Sequence, residues 1–256
     1  MNYPEYKRFR LFREHKYVIA IFTELLRTVS LADFSIAEVV EKIKVDLNNF
    51  LLLHQAHSGY EDARIGKILK DTNIDIYIKL EADHEYQDRI FKTLLNELDQ
   101  ILSLEDHNVR YHTGYKFYLD LRKLFVDLLA HLNYEETVLM PQLQKILSDD
   151  EIKAIDHISY NQMEPEQIVH MLEVLVPHFN PNDIMVFLKD IFEAQREKFI
   201  VAWPEIKKLL NKSIIDSIEE ILPTNLISGI ELRKESLKYP WENPGEADIC
   251  QIKFKR

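Results

Sequence analysis

The stretch from Leu51 to Asp62 reads LLLHQAHSGYED and lies in the middle of a long helical stripe. On both sides of it, every third or fourth residue is apolar, as in a helix that buries one face. His54, His57 and Glu61 interrupt that stripe on the face that should be buried. Because a buried polar group without a partner costs about 1–3 kcal/mol, we expect these side chains to find partners elsewhere in the fold.

Composition limits the class of protein. The chain has 256 residues, 5 glycines, one cysteine (Cys250) and a formal net charge of −11. Scarce glycine and short β-branched runs predict an all-α fold with one large or two small domains. A single cysteine excludes a disulfide framework and cysteine-based zinc modules. The absence of long apolar runs and of a signal core predicts a cytoplasmic protein without membrane contact. Acidic charge and the lack of phosphate-binding glycine motifs argue against nucleic acid and nucleotide.

Helical periodicity predicts four long helices in the first part of the chain. They span about residues 9–29, 35–70, 74–104 and 115–141, and a polar stretch from 105 to 114 separates the last two. Short connections between long helices favour an up-down-up-down four-helix bundle over residues 9–147. We expect Pro141 to lie near the end of the fourth helix or to kink it.

The sequence changes in character after residue 147. Amphipathic segments at 164–179, 184–210 and 212–222 predict additional C-terminal helices, with a break at Trp203-Pro204 in the middle one. We expect residues 148–222 to form a helical extension that packs on the bundle. Residues 223–256 are predicted to be an irregular tail, because they contain three prolines and little periodicity.

Each of the four long helices has a histidine on its apolar face. The candidate metal ligands are His15, His57, Glu61, His84, His131 and Glu135, with His54 and Asp88 as two further candidates. Residues four apart on a helix differ by only about 40° in direction, so each His-x-x-x-Glu pair projects to one side. Glu136 projects about 140° from His131 and is expected in solvent or behind a ligand. Imidazole and carboxylate together suit iron, and also manganese or zinc.

A hydrogen-bonded core histidine is the ordinary explanation for any one of these residues. Six such groups without partners would cost about 6–18 kcal/mol, which rivals the ~5–15 kcal/mol stability of a whole domain. Histidine–glutamate hydrogen bonds offset part of that cost. Two metal ions bridged by the glutamates offset more, and explain why all four helices contribute.

This set of residues resembles the hemerythrin-like, HHE cation-binding family over about residues 9–147. The resemblance depends on single histidines in the first and third helices, the His57–Glu61 pair, and the string HLNYEETVLMP from His131 to Pro141. It implies a four-helix bundle that holds two iron ions (Fe2+/Fe3+) with a bridging oxo, hydroxo or carboxylate group. It also implies dioxygen or peroxide as a small ligand. Residues 148–210 are similar to helices that follow the hemerythrin-like modules of eukaryotic iron-sensing ubiquitin ligases, which implies a protein partner for the C-terminal helices.

The sequence departs from the oxygen-carrying hemerythrins at two positions. Their third helix has two histidines four residues apart, whereas Asp88 stands at the second position here, and Glu135 follows its histidine by four residues rather than five. A carboxylate ligand favours Fe(III) over reversible oxygen carriage. The leading interpretation is a di-iron module that senses, binds or handles oxygen or iron. The alternatives are a di-iron oxidase, peroxidase or oxygenase acting on a small substrate, and a structural protein stapled by a metal such as zinc.

Overall fold

A computed structural model describes residues 7–222, and those residues form helices without any strand. The all-α class predicted from composition is therefore confirmed for the described part of the chain. The chain divides into two compact units, with the boundary between Leu147 and Ser148. The irregular tail predicted for residues 223–256 lies outside the described residues. No helix within residues 7–222 is long and apolar enough to cross a membrane.

The first unit contains four long helices and two short ones. They are α1 (His15–Ser30), α2 (Ala37–Glu61), α3 (Lys67–Thr72), α4 (Ile74–Ser103), α5 (His107–Tyr134) and α6 (Met140–Ile146). A π-helical turn, Asp62–Gly66, joins α2 to α3, and a second one, Glu135–Leu139, joins α5 to α6. Both π-helical turns begin at or directly after a candidate glutamate ligand, and such turns occur frequently at functional sites.

Two boundaries differ from those predicted by periodicity. The first helix begins at His15 rather than near residue 9, because Phe12 has a φ of 65°, a left-handed conformation that a right-handed helix does not contain. Most of the polar stretch from 105 to 114 is helical rather than a connection, since α5 starts at His107. Asp106 caps this helix by accepting hydrogen bonds from the backbone N–H groups of Asn108 and Val109.

The long helices pack in a closed ring of neighbours. Helix α1 contacts α2 and α5, and α4 contacts the same two helices. Three fully buried phenylalanines, Phe22 of α1, Phe50 of α2 and Phe91 of α4, fill the interior, with the first two rings stacked at 4.4 Å. Each buried phenylalanine contributes about 1.5–3 kcal/mol. This apolar core occupies the middle of the helices and leaves the candidate ligands together towards one end.

The second unit contains five shorter helices. They are α7 (Asp149–Gln162), α8 (Pro165–Leu175), α9 (Pro181–Ala194), α10 (Arg196–Ile206) and α11 (Lys212–Ile221). The break expected at Trp203-Pro204 occurs instead at Gln195, where the backbone turns to φ −152° and ψ 71°. Pro204 lies inside α10 without ending it. That prediction was wrong because it took the proline as the breaker, whereas a non-helical residue before Arg196 separates the two helices.

Candidate metal centre

Six candidate ligands lie in one buried cluster of the first unit. They are His15, His57, Glu61, His84, His131 and Glu135, and each is at most 7% exposed. Their donor atoms form two overlapping groups of four, each with all atoms within 4.8 Å of one another. One group adds His15 and His57 to the two glutamates, and the other adds His84 and His131. Glu61 and Glu135 belong to both groups, so the cluster provides two adjoining positions with shared carboxylates.

The inner nitrogen, Nε2, of each histidine faces a glutamate oxygen. The Nε2-to-oxygen distances are 3.4 Å from His15 to Glu135, 3.6 Å from His57 to Glu61, 3.3 Å from His84 to Glu61 and 3.1 Å from His131 to Glu135. The Nε2 atoms of His84 and His131 are 3.1 Å apart. Two ligand atoms that each lie about 2.1 Å from one ion, at right angles, are separated by about 3.0 Å. The observed spacings therefore fit donors that share an ion.

The outer nitrogen, Nδ1, of each histidine faces a second carboxylate, and we call these four acids the outer carboxylates. The distances are 2.9 Å from His84 to Asp62, 3.0 Å from His15 to Glu136, 3.3 Å from His131 to Asp83 and 3.9 Å from His57 to Glu14. An Nδ1–H that donates to a carboxylate fixes the ring tautomer and leaves the Nε2 lone pair for a metal. At least three of the four imidazoles are therefore oriented with Nε2 towards the cluster.

The histidines and glutamates perturb one another strongly. Burial disfavours the charged form of His84, but the hydrogen bond with Asp62 and the nearby carboxylates of Glu135 and Glu61 outweigh burial and raise its pKa to about 12. Burial likewise opposes the charge of His131, while Glu135 and Asp83 raise its pKa to about 9. Burial and the charge of Glu135 raise the pKa of Glu61 to about 8. Without a metal, the cluster therefore holds protons at neutral pH that an ion has to displace.

Six inner atoms of the cluster have no hydrogen-bond partner among the described residues. They are both carboxylate oxygens of Glu61, both of Glu135, and the Nε2 atoms of His15 and His57. Buried acceptors of this kind destabilise a fold unless something satisfies them. A pair of divalent ions would do so, because the unpaired atoms are metal-binding types and belong to the two groups of four. The residues present therefore fit a dinuclear metal centre.

The two further candidates lie outside both groups. His54 is buried with its ring 5.3 Å from Phe91 and 6.5 Å from His84, and burial followed by the charges of His84 and His131 lowers its pKa to about 3. Asp88 is half-buried and accepts a hydrogen bond from Gln55 at 3.0 Å. Gln87, which is 1% exposed, takes the inward position after His84 that the spacing had suggested for Asp88.

The outer carboxylates were not identified from the sequence as a set, although a signal for them exists. The pattern His-x-x-Tyr-Glu-acid occurs at 57–62 and again at 131–136, and an acid-His pair occurs at 14–15 and again at 83–84. The acids flanking the ligands in these patterns are the four outer carboxylates. Glu136, expected in solvent or behind a ligand, is half-exposed and contacts His15. The repeated spacing could have identified all four acids.

The second unit contains another group of metal-ligand types. His157 of α7 and Asp190 and Glu193 of α9 have donor atoms within 4.8 Å of one another. His157 has no carboxylate three or four residues away along its own helix. Glu193 is bound by the ammonium of Lys153, which lowers its pKa. We interpret this group as an ion-pair cluster, since a lysine already occupies one of its carboxylates.

Protein-family models, curated proteins and solved structures contain no match to this chain. The functional assignment therefore depends on the geometry of the cluster and on the motifs in the sequence.

Proposed function

We propose that the first unit is a hemerythrin-like four-helix bundle that binds two iron ions. The observation that carries this proposal is the pair of four-donor groups that share Glu61 and Glu135. His15 and His57 would hold one ion, and His84 and His131 the other. Carboxylates that bridge two metals inside a helical bundle are the arrangement of di-iron carboxylate proteins. The contacts of α1, α2, α4 and α5 in a ring support the same architecture.

Iron is the metal that the donor set favours, with manganese and zinc as the other ions it suits. Two carboxylates and four neutral imidazoles leave a pair of divalent ions with a net positive charge, so the centre would attract small anionic or polarisable ligands. When bound, iron supplies redox chemistry and affinity for dioxygen or peroxide. The chain's own contribution is to orient the imidazoles through the outer carboxylates and to exclude bulk water from the inner atoms.

We infer that the module senses, binds or handles iron or oxygen. The second candidate is a di-iron oxidase, peroxidase or oxygenase, and one observation favours it. A cleft of about 530 Å³ between α4 and α5 reaches His131 and could admit a small molecule. Its lining includes Lys79, Asp83, Lys123 and Asp127. Because charged side chains line it, the cleft suits ions and polar molecules better than an apolar substrate, which leaves sensing and binding as the better-supported proposal.

Metal analysis of protein produced with ample iron and purified without oxygen tests the proposal. We expect two equivalents of iron per chain, and an optical spectrum that changes when air is admitted. Less than half an equivalent of any transition metal would contradict a metal centre. Two equivalents of zinc with no iron after iron-replete growth would favour the structural staple.

Removal of the metal by a chelator tests whether the ions support the fold. Ligand present at 1,000 times its dissociation constant stabilises a protein by about 4 kcal/mol, and each kcal/mol shifts the melting temperature by about 2–4 °C at this size. Chelation should therefore lower the melting temperature by on the order of 10 °C. Unchanged melting after verified removal would indicate a core held by histidine–glutamate hydrogen bonds alone.

A further inference from the structure

An open cleft runs along the outer side of the α4–α5 contact, and we call it the α4–α5 cleft. It has a volume of about 530 Å³, and the candidate ligand His131 forms part of its wall. Asp83, also in the wall, is 3.3 Å from Nδ1 of His131. The cleft therefore brings solvent close to the outer side of His131, which belongs to the group of four that contains His84.

Two lysines flank two aspartates along this cleft. At one end, the ammonium of Lys79 lies over the ring of Tyr134 and donates a hydrogen bond to Asp83 at 2.6 Å. At the other end, Lys123 lies four residues before Asp127 on α5. Asp83 and Asp127 come between the two lysines, because α4 and α5 run in opposite directions, as the Asp83–His131 and Tyr86–Asp127 contacts show. The middle of the cleft, next to His131, is therefore lined by carboxylates.

Gln87 gives the cleft a further oxygen. Its side chain lines the cleft, is only 1% exposed, and has an Oε1 atom with no hydrogen-bond partner among the described residues. A buried amide oxygen left unpaired costs about 1–3 kcal/mol. Amide and carboxylate oxygens bind divalent cations and the water molecules that accompany them. A cation passing through the cleft would satisfy the unpaired atom.

We propose that the α4–α5 cleft is the uptake site for the divalent cation, in which Gln87 and Asp127 hold the hydrated ion before it reaches His131. This inference rests on the proposed metal centre and adds a route and an order. The ion of the His84–His131 position loads and leaves through the cleft. The ion of the His15–His57 position lies farther from the cleft and exchanges after it.

The rate of metal loading tests the uptake site. Metal-free full-length protein is mixed anaerobically with Fe2+, and samples taken over time are quenched with a strong chelator before bound iron is measured. Asp127→Asn and Gln87→Leu should each slow loading by on the order of tenfold, while the final iron content stays at the wild-type value. Asp99→Asn is the matched control, because it removes the same charge from an exposed residue of α4 that pairs with Lys44.

The outcomes separate the uptake site from the metal centre. Loading of Asp127→Asn and Gln87→Leu at the rate of the Asp99→Asn control would overturn the uptake site and leave the metal centre intact. Slower loading of all three variants would also overturn it, since only overall charge would matter. Wild-type protein that takes up no Fe2+ would overturn the metal centre and, with it, the uptake site. Gln87→Glu replaces the amide with a negatively charged carboxylate of similar volume and should speed loading. Faster loading of this variant would exclude a purely structural effect of changes at position 87.

Discussion

The α1–α2 half and the α4–α5 half of the first unit contribute equivalent residues to the candidate metal centre. Each half has one acid-His pair, Glu14-His15 at the start of α1 and Asp83-His84 inside α4, and ends with His-x-x-Tyr-Glu-acid. Within each half, the acid of the first helix faces the histidine of the second: Glu14 faces His57, and Asp83 faces His131. The same chemistry is thus built twice from two helix pairs.

The remaining outer carboxylates connect the two halves. Asp62, at the end of α2, contacts His84 of α4, and Glu136, after α5, contacts His15 of α1. Adjacent residues on a helix project about 100° apart, so Glu61 reaches the centre while Asp62 reaches the neighbouring helix. Each half therefore supplies one glutamate to both groups of four and one outer carboxylate to the other half.

The halves differ in access and in the support of one histidine. The cleft opens beside His131 of the α4–α5 half. In the α1–α2 half, Nδ1 of His57 lies 3.9 Å from Glu14, which is beyond hydrogen-bond distance. Two groups with the same donor types can therefore differ in their surroundings and in how firmly their histidines are held. The α4–α5 half borders the cleft and has a hydrogen bond to Nδ1 of both of its imidazoles, whereas the α1–α2 half contains one weakly held imidazole, His57.

The largest loss of bound iron should follow from replacement of Glu61 or Glu135, the two residues that belong to both groups of four. Glu61→Gln and Glu135→Gln keep side-chain volume but remove a bridging charge, so each should reduce bound iron from two equivalents to less than half an equivalent. Glu136→Gln should retain most of the metal, because that residue contacts only the outer side of His15. Retention of one full equivalent by Glu61→Gln would show that the carboxylates are not shared.

Loss of a histidine from one half should have an intermediate effect. His57→Ala removes a donor from one group only, and His131→Ala removes a donor from the other. Each variant should bind about one equivalent of iron by elemental analysis. If either variant binds none, the two positions load only together, and the halves are not independent.

Metal affinity should depend on pH through the protons that the cluster holds. The pKa values of His84 (about 12), His131 (about 9) and Glu61 (about 8) are all raised, so these groups are protonated in metal-free protein at pH 7. Fe2+ has to displace these protons, and raising the pH from 6 to 8 lowers the concentration of protons that compete with it. The affinity for Fe2+ should therefore rise by up to about tenfold per pH unit for each proton released. Anaerobic titrations in weak buffer should detect that proton release. Affinity independent of pH would contradict the protonated state.

Much of the inner cluster was predictable from the sequence. A polar residue that interrupts an apolar stripe must lie on the buried face, which identified His57 and Glu61 before any contact was known. Which of Gln87 and Asp88 points into the core was not predictable from the sequence. Residues three and four positions after His84 both project near the buried face of the helix. Gln55 of the neighbouring helix decides it by donating a hydrogen bond to Asp88.

The outer carboxylates and the cleft were harder to predict. Asp62 and Glu136 look like ordinary surface acids in the sequence, since their partners are 22 and 121 residues away along the chain. The cleft depends on the spacing of α4 and α5, which periodicity does not contain. The polar stretch from 105 to 114 was misread because its exposed face looked like a loop, although Arg110 and Gly114 are buried in α5.

The smallest effect should come from the outer carboxylates, and it should differ between the halves. Loss of an acid behind a metal-bound histidine typically reduces affinity by about 10–100-fold. Asp62→Asn should fall in that range, because its oxygen is 2.9 Å from Nδ1 of His84 and is the strongest hydrogen-bond contribution to the raised pKa of that ring. Glu14→Gln should weaken binding by less than tenfold, since 3.9 Å is too long for a hydrogen bond.

Competition titrations with a chelator of known affinity measure both variants against wild type, and Asp88→Asn is the control for a nearby acid outside the groups of four. Both bound ions should remain in every variant, so only the affinity changes. Equal losses in Asp62→Asn and Glu14→Gln would mean that bound metal draws Glu14 onto His57 and makes the two halves equivalent. A larger loss in Glu14→Gln would contradict this expectation, because the α1–α2 half would then depend more on its outer carboxylate than the α4–α5 half does.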